Sequence, residues 1–172
     1  MTSLTPLLQT YSVLAMTLAA GTNLSSTLVT LPALLRSPPT SLAQQWKTLF
    51  DHGITPVVSL AFSSAAGFAA LAYNAPTPIG LLNAAGRGGG GGSVSQRTLY
   101  AAAALLGCGL APYTLLLMGG VNDELSLRAT TGGMGKQKGE TRALVERWGR
   151  LNLARGCMLL FSAGLGMWAC VV

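Results

Sequence analysis

Trp148, Asn152 and Arg155 follow one another at steps of four and three residues near the end of the chain. At about 100° per helical residue they fall within an arc of about 60°, so one helix face carries an indole, an amide and a guanidinium. Side-chain N–H donors of this kind can hold developing negative charge, and an indole offers a flat apolar surface. The charged run 144–150 passes into Leu-Asn-Leu-Ala-Arg-Gly and then an apolar tail with no turn signal, so this face opens at the rim of an apolar segment.

Proton transfer and metal binding have fewer candidates. His52 is the only histidine, the side-chain type that titrates nearest neutrality. Cys108, Cys157 and Cys170 are odd in number and widely spaced inside apolar segments, which argues against a disulfide framework. A dinuclear centre built from Glu-x-x-His pairs needs two such motifs, and the sequence has none. No metal site and no cofactor are expected, although a bound organic group is not excluded.

The elements that carry these residues are dictated by composition. Half of the residues are hydrophobic, 9% are charged and the mean hydropathy is +0.48, against about 25% charged residues in soluble domains. Four apolar segments, residues 7–35, 54–73, 98–118 and 151–172, approach the ~20 residues that cross a hydrocarbon core. The expected fold is an all-α integral membrane protein, a single domain of four spanning helices. The first segment carries Asn23, Ser25, Ser26, Thr27 and Pro32 and reads as a polar-faced span whose polar side chains turn toward neighbours. A cleaved signal peptide is not expected, because no Lys or Arg precedes this segment and it runs past the small residues Ala19-Ala20-Gly21.

Charge then orients the spans. Loops 36–53 and 119–150 hold Arg36, Lys47, Arg128, Lys136, Lys138, Arg142, Arg147 and Arg150, whereas the other side holds Arg87 and Arg97. The positive-inside tendency predicts that the first two loops are cytoplasmic. The net charge of +6 is explained by this flanking pattern and by anionic headgroups, so no nucleic-acid partner is expected. In the first loop Leu42, Trp46, Leu49 and Phe50 share a helical stripe, which predicts a short helix lying in the membrane interface. Residues 86–93 read as a flexible Gly-rich linker, and residues 130–139 as a second Gly-rich polar stretch before a helix starting near Glu140 or Thr141. Ser63 with Gly67, Gly107 with Gly109, and Gly164 with Gly166 predict close helix approach, and these small-residue faces also leave room for a homo-oligomer.

Topology gathers a polar constellation at the cytoplasmic face: Trp46, Asp51 and His52 before the second span, Asn122 and Asp123 after the third, and Trp148, Asn152 and Arg155 opening the fourth. Each has a structural reading beside the chemical one. The tryptophans suit an interfacial belt, and Arg155 lies near enough to the rim to snorkel. Asn122-Asp123 can turn the chain, with Asp123 paired to Arg155. In a regular helix His52 points away from Trp46, although Gly53 makes that regularity doubtful.

These residues also carry a family resemblance. Pro-Ala-Leu-Leu at 32–35, then Gln45, Trp46, Phe50 and Gly53, then Asn122-Asp123, and finally Trp148, Asn152, Arg155 and Gly156 follow an order that resembles the fungal anthrone oxygenase family over nearly the whole chain. The resemblance implies a membrane oxygenase of aromatic polyketide biosynthesis, in the endoplasmic reticulum or another endomembrane, that converts an anthrone to an anthraquinone with O2 as co-substrate. Such a site must supply a base, stabilise an oxyanion and hold a flat tricycle away from water. His52 or Asp123 is then the base, Arg155 and Asn152 the oxyanion donors, and Trp46, Phe50, Asn122 and Trp148 the substrate-binding set. The competing classes are a non-catalytic membrane assembly subunit and a small transporter, the latter disfavoured because the polar residues gather at one face.

Overall fold

A computed structural model describes residues 4–76, 95–131 and 138–172, without the side chains of residues 39, 40, 138 and 139. The linker expected at 86–93 lies outside the described residues. All regular structure among the described residues is helical, in four long rods: α1 (Leu4–Leu34), α2 (Pro39–Asn74), α3 (Gln96–Thr130) and α4 (Lys138–Ala169). Each packs along two neighbours in the cyclic order α1, α2, α3, α4, with α2 and α4 also touching across the centre. The pairings Tyr11 with Ser63, Ala103 with Ser162, and Asn23 with Asn152 run antiparallel, so the rods alternate up and down.

Three of the rods, Leu4–Leu34, Ser41–Asn74 and Gln96–Thr130, are long and apolar enough to cross a membrane. Within their most apolar stretches only 33%, 39% and 28% of residues are buried, which decides where the large apolar side chains go. They face outward: Leu14, Leu18, Leu28, Leu115, Leu116 and Phe161 are exposed. The interior is instead rich in alanine and holds Ser12, Ser64 and Ser162. Ser64 and Ser162 donate to the backbone carbonyls of Ser12 and Ala103 on neighbouring rods. An exterior of that size and polarity is stable against lipid and not against water.

The rods outrun the apolar segments that predict them. At 1.5 Å per residue α2 is about 54 Å long, well beyond a hydrocarbon core of about 30 Å. The helix expected to lie separately in the first loop is instead the first part of α2, which continues through Gly53 and Pro56. Its stripe of Leu42, Trp46, Leu49 and Phe50 packs against Leu125 of α3 and Val145 and Trp148 of α4. An amphipathic stripe that finds protein partners has no need of the membrane surface. Asn122 and Asp123 likewise lie within a helix and do not turn the chain. Two apolar clusters result, one among Met16, Phe68, Tyr100, Leu159 and many alanines, the other among Leu31, Trp46, Met118, Leu125, Val145 and Trp148.

Close approach in the first cluster depends on particular glycines. A Cβ on Gly67 would stand 2.1 Å from Ser12 Oγ, one on Gly107 2.9 Å from Ala65 Cβ, and one on Gly166 2.2 Å from Phe68 Cζ. Gly164 meets nothing within 4 Å, so it does not serve the packing expected of it. Gly166→Ala should therefore lower stability by about 1–3 kcal/mol through overpacking against the buried Phe68 ring. Gly164→Ala should leave stability unchanged or raise it by up to about 1 kcal/mol through helix propensity. Thermal unfolding of the two variants in detergent checks the contrast, and equal losses would contradict it.

Candidate active site

Between the two apolar clusters lies a polar layer centred on Arg155. Arg155 is 6% exposed and its guanidinium bonds inward, which is not the arrangement of a snorkelling side chain. Its Nη2 donates to Asn23 Oδ1 and to Asn152 Oδ1, both at 2.7 Å, and Nη1 donates to Thr114 Oγ1 at 3.5 Å. Asn152 uses its own amide N–H groups on α1, donating to the Asn23 carbonyl at 3.0 Å and to Thr27 Oγ1 at 2.8 Å. Among the described residues no carboxylate reaches Arg155, and the ion pairs lie elsewhere, including Lys47 with Asp51, Arg128 with Glu124 and Glu140, and Arg142 with Glu146.

Local sequence explains how three rods deliver these groups to one level. Gly149, Asn152 and Gly156 recur at steps of three and four residues on the α4 face that meets α1. A Cβ at Gly149 would lie 2.1 Å from Leu31 Cδ2, and one at Gly156 2.9 Å from Leu24 Cδ2 and 3.3 Å from Asn23 Cβ. The two glycines bring the rods close enough for Asn152 to reach the α1 backbone. Both α1 and α3 contain a π-helical turn at this level, Ser26–Thr30 and Thr114–Met118, each beside a proline, Pro32 and Pro112. Leu31 N–H accordingly reaches back five residues to the Ser26 carbonyl. Short π segments recur at functional sites, and here they lie where Thr27 and Thr114 meet Asn152 and Arg155.

A cleft opens on this layer, lined by Thr22, Asn23 and Ser26 of α1, Leu49, Phe50, Gly53, Ile54 and Val57 of α2, and Trp148, Asn152 and Arg155 of α4. Its volume is about 20 Å³, room for a group the size of one water, against the 300–1,000 Å³ common for ligand pockets. A flat tricycle enters only if α2 or its side chains move aside. Phe50 is half-buried and stacks on Trp46 with centroids 5.1 Å apart, while Trp46 meets Trp148 edge-on at 5.8 Å. Trp46 is wholly buried and Trp148 nearly so, which makes them core aromatics and not belt residues.

The expected site residues divide into two groups. Arg155, Asn152, Trp148 and Phe50 share the cleft, and Trp46 backs it. His52 and Asp123 do not line it: both are exposed. His52 Nδ1 lies 2.8 Å from the Thr48 carbonyl, and since a carbonyl only accepts, Nδ1 carries a proton there and Nε2 is the ring nitrogen that makes no protein contact. Asp123 does not pair with Arg155, whose partners are neutral. Asn122 is buried on α3 outside the cleft, with Oδ1 unpartnered. Asn152 spends both donor hydrogens on α1, so it acts by positioning Arg155. Sequence reasoning placed Asn23 and Thr27 on a polar face turned toward neighbours but did not identify them, or Thr114, as partners of Asn152 and Arg155. It also missed Tyr113, whose hydroxyl donates to the Leu151 carbonyl at 3.0 Å.

No group of three or more His, Cys, Asp or Glu able to hold a metal ion occurs among the described residues. Asn152→Leu should leave one Arg155 Nη2 hydrogen without its acceptor, Asn23 Oδ1 keeping the other, and remove both tethers to α1, at a cost of about 1–3 kcal/mol or more. Tyr113→Phe, which frees a single helical carbonyl, should cost about 0.5–1.5 kcal/mol. Unfolding of both variants in detergent tests the ranking, and an Asn152→Leu protein as stable as Tyr113→Phe would contradict the network.

No curated protein and no solved structure matches the chain. Residues 46–165 match the family model described as anthrone oxygenase, a stretch that runs from Trp46 through Phe50 and Asn122 to Trp148, Asn152 and Arg155. With more than half of its length inside that match, the chain belongs to the anthrone oxygenase family.

Proposed function

We propose that this protein is a four-span membrane oxygenase that converts an anthrone to an anthraquinone with O2 in aromatic polyketide biosynthesis. Three rods suit a membrane by length and composition, and α4 packs against them along its apolar half, so it joins them as the fourth span. The basic ends of α2 and α4 then project into the cytoplasm from an endomembrane, and the ring system enters from the bilayer.

The chemistry balances with the substrate and O2 alone. A base removes one proton from the methylene carbon of the anthrone, and the electron pair delocalises onto the ring oxygen. The carbanion gives its electrons to O2 as the C–O bond forms, and protonation yields a hydroperoxide. Loss of the second hydrogen from that carbon, with cleavage of the O–O bond, releases water and leaves the quinone. Carbon is oxidised, and O2 is reduced to the quinone oxygen and one water.

The observation that carries this reading is a buried guanidinium whose hydrogen-bond partners are all neutral, lining a cleft between Phe50 and Trp148. A buried charge without a counter-ion is costly, and an anionic intermediate would repay that cost only when it forms. Arg155 therefore binds the ring oxygen as its charge develops, held in place by Asn152. His52, with Nε2 free, is the first candidate base and Asp123 the second. Since neither lines the closed cleft, proton removal takes place once α2 has yielded near Gly53 or through intervening water.

Oxygen uptake and quinone absorbance in membranes given an anthrone test the proposal, with spontaneous air oxidation as the background. Arg155→Ala should lower the enzymatic rate by about 10²–10³-fold or more while the protein stays membrane-inserted, and Arg155→Lys should recover part of it. His52→Gln should cost about 10²-fold or more if His52 is the base. Chelator treatment should leave the rate unchanged. Wild-type rates from Arg155→Ala would refute the assignment, and a chelator-sensitive rate would refute the metal-free mechanism.

A further inference from the structure

Three side chains that line the Arg155 cleft keep buried polar atoms without a partner: Arg155 Nε, Asn23 Nδ2 and Trp148 Nε1. All three are N–H donors. The other unpartnered buried atoms among the described residues, Trp46 Nε1, Ser12 Oγ and Asn122 Oδ1, belong to residues outside this cleft, Trp46 standing behind it. Native interiors rarely leave buried donors unsatisfied, and three of one kind around a single cleft define the complementary ligand atom as an acceptor. The volume of about 20 Å³ fits one oxygen-sized group.

Asn23 is the informative member. It is 2% exposed and lies on α1, before the stretch that matches the family. A guanidinium can only donate, so the 2.7 Å contact with Arg155 Nη2 identifies the amide oxygen and leaves Nδ2 as the free donor. Nδ2 shares Cγ with that oxygen, and Arg155 Nε shares Cζ with Nη2, so each free donor sits one group away from the bond joining the two side chains.

We propose that Asn23 is a catalytic residue: its Nδ2 and Arg155 Nε together donate to the ring oxygen of the substrate anion, forming a two-donor oxyanion hole contributed by α1 and α4. This rests on the anthrone reading above. The Asn23 carbonyl already accepts from Asn152 and its Oδ1 from Arg155, so the donor is fixed before substrate arrives. A preorganised neutral donor adds to the stabilisation that Arg155 supplies without weakening its charge, as a carboxylate in the same place would.

Binding of two flat tricyclic probes to the full chain in nanodiscs, corrected for empty nanodiscs, tests this independently of turnover. Phenanthrene reports entry of a flat tricycle once the cleft has opened, and the phenolate of 9-phenanthrol, studied above its ionisation pH, reports the donors. Asn23→Ala should hold phenanthrene within about threefold of wild type and weaken the phenolate about tenfold or more. Asn23→Asp, which keeps an oxygen for Arg155 but replaces the free N–H by a carboxylate oxygen, should weaken the phenolate further and lower oxygen uptake in parallel. Equal losses for both probes in Asn23→Ala would make Asn23 a structural residue only, and unchanged phenolate binding would remove it from the site; either result overturns the proposal. Wild-type protein that binds the phenolate but oxidises no anthrone would overturn the reaction and leave the donor pair standing. Wild-type protein that binds neither probe would overturn both.

Discussion

The architecture turns on holding one guanidinium in an interior that offers it no counter-ion. Arg155 is stabilised by two amide oxygens, from Asn23 and Asn152, and a threonine hydroxyl, all neutral. Burying such a charge costs several kcal/mol unless its hydrogen bonds are made, so the rods must bring every partner within bonding distance at once. That demand accounts for features that look unrelated in the sequence. The glycines at 149 and 156 admit α1, the π turns of α1 and α3 lie where Thr27 and Thr114 are needed, and Asn152 ties the α1 backbone to α4. The apolar clusters on either side keep water away from the layer.

The same demand separates holding from reacting. Asn152 has no donor left to offer a substrate, whereas Asn23 and Arg155 each keep one. That division between a residue whose donors are all used and two that keep one is what the proposed oxyanion role draws on. The aromatic stack of Phe50, Trp46 and Trp148 forms the wall beside this layer, and Gly53 and Pro56 interrupt the composition of α2, though not its helix, next to that wall.

Much of the fold was legible in the residues. Runs of apolar side chains at helical length implied helices, and few charges implied lipid; both readings needed only local information. The face bearing Trp148, Asn152 and Arg155 followed from 3.6-residue periodicity and survives in the structure. What failed did so for tertiary reasons. The stripe from Leu42 to Phe50 looks the same whether it lies on headgroups or on Leu125 and Val145, because amphipathicity names the buried face without naming its partner. His52 and Asp123 lie toward the same end of the bundle as Arg155, but sharing an end does not make residues face each other across a bundle.

The sequence by itself determined four apolar segments, their charged flanks, the clustering of polar residues toward one end and the motif that carries the family. Tertiary structure decided which polar groups meet. Asn23 and Arg155 are separated by 132 residues, and their contact depends on the azimuth and register of two rods set by glycines and π turns. Only that packing could make Asn152 a positioning residue, enclose the tryptophans and leave N–H donors free in the cleft. Periodicity is a property of one helix, whereas an unpaired donor is a property of everything packed around it.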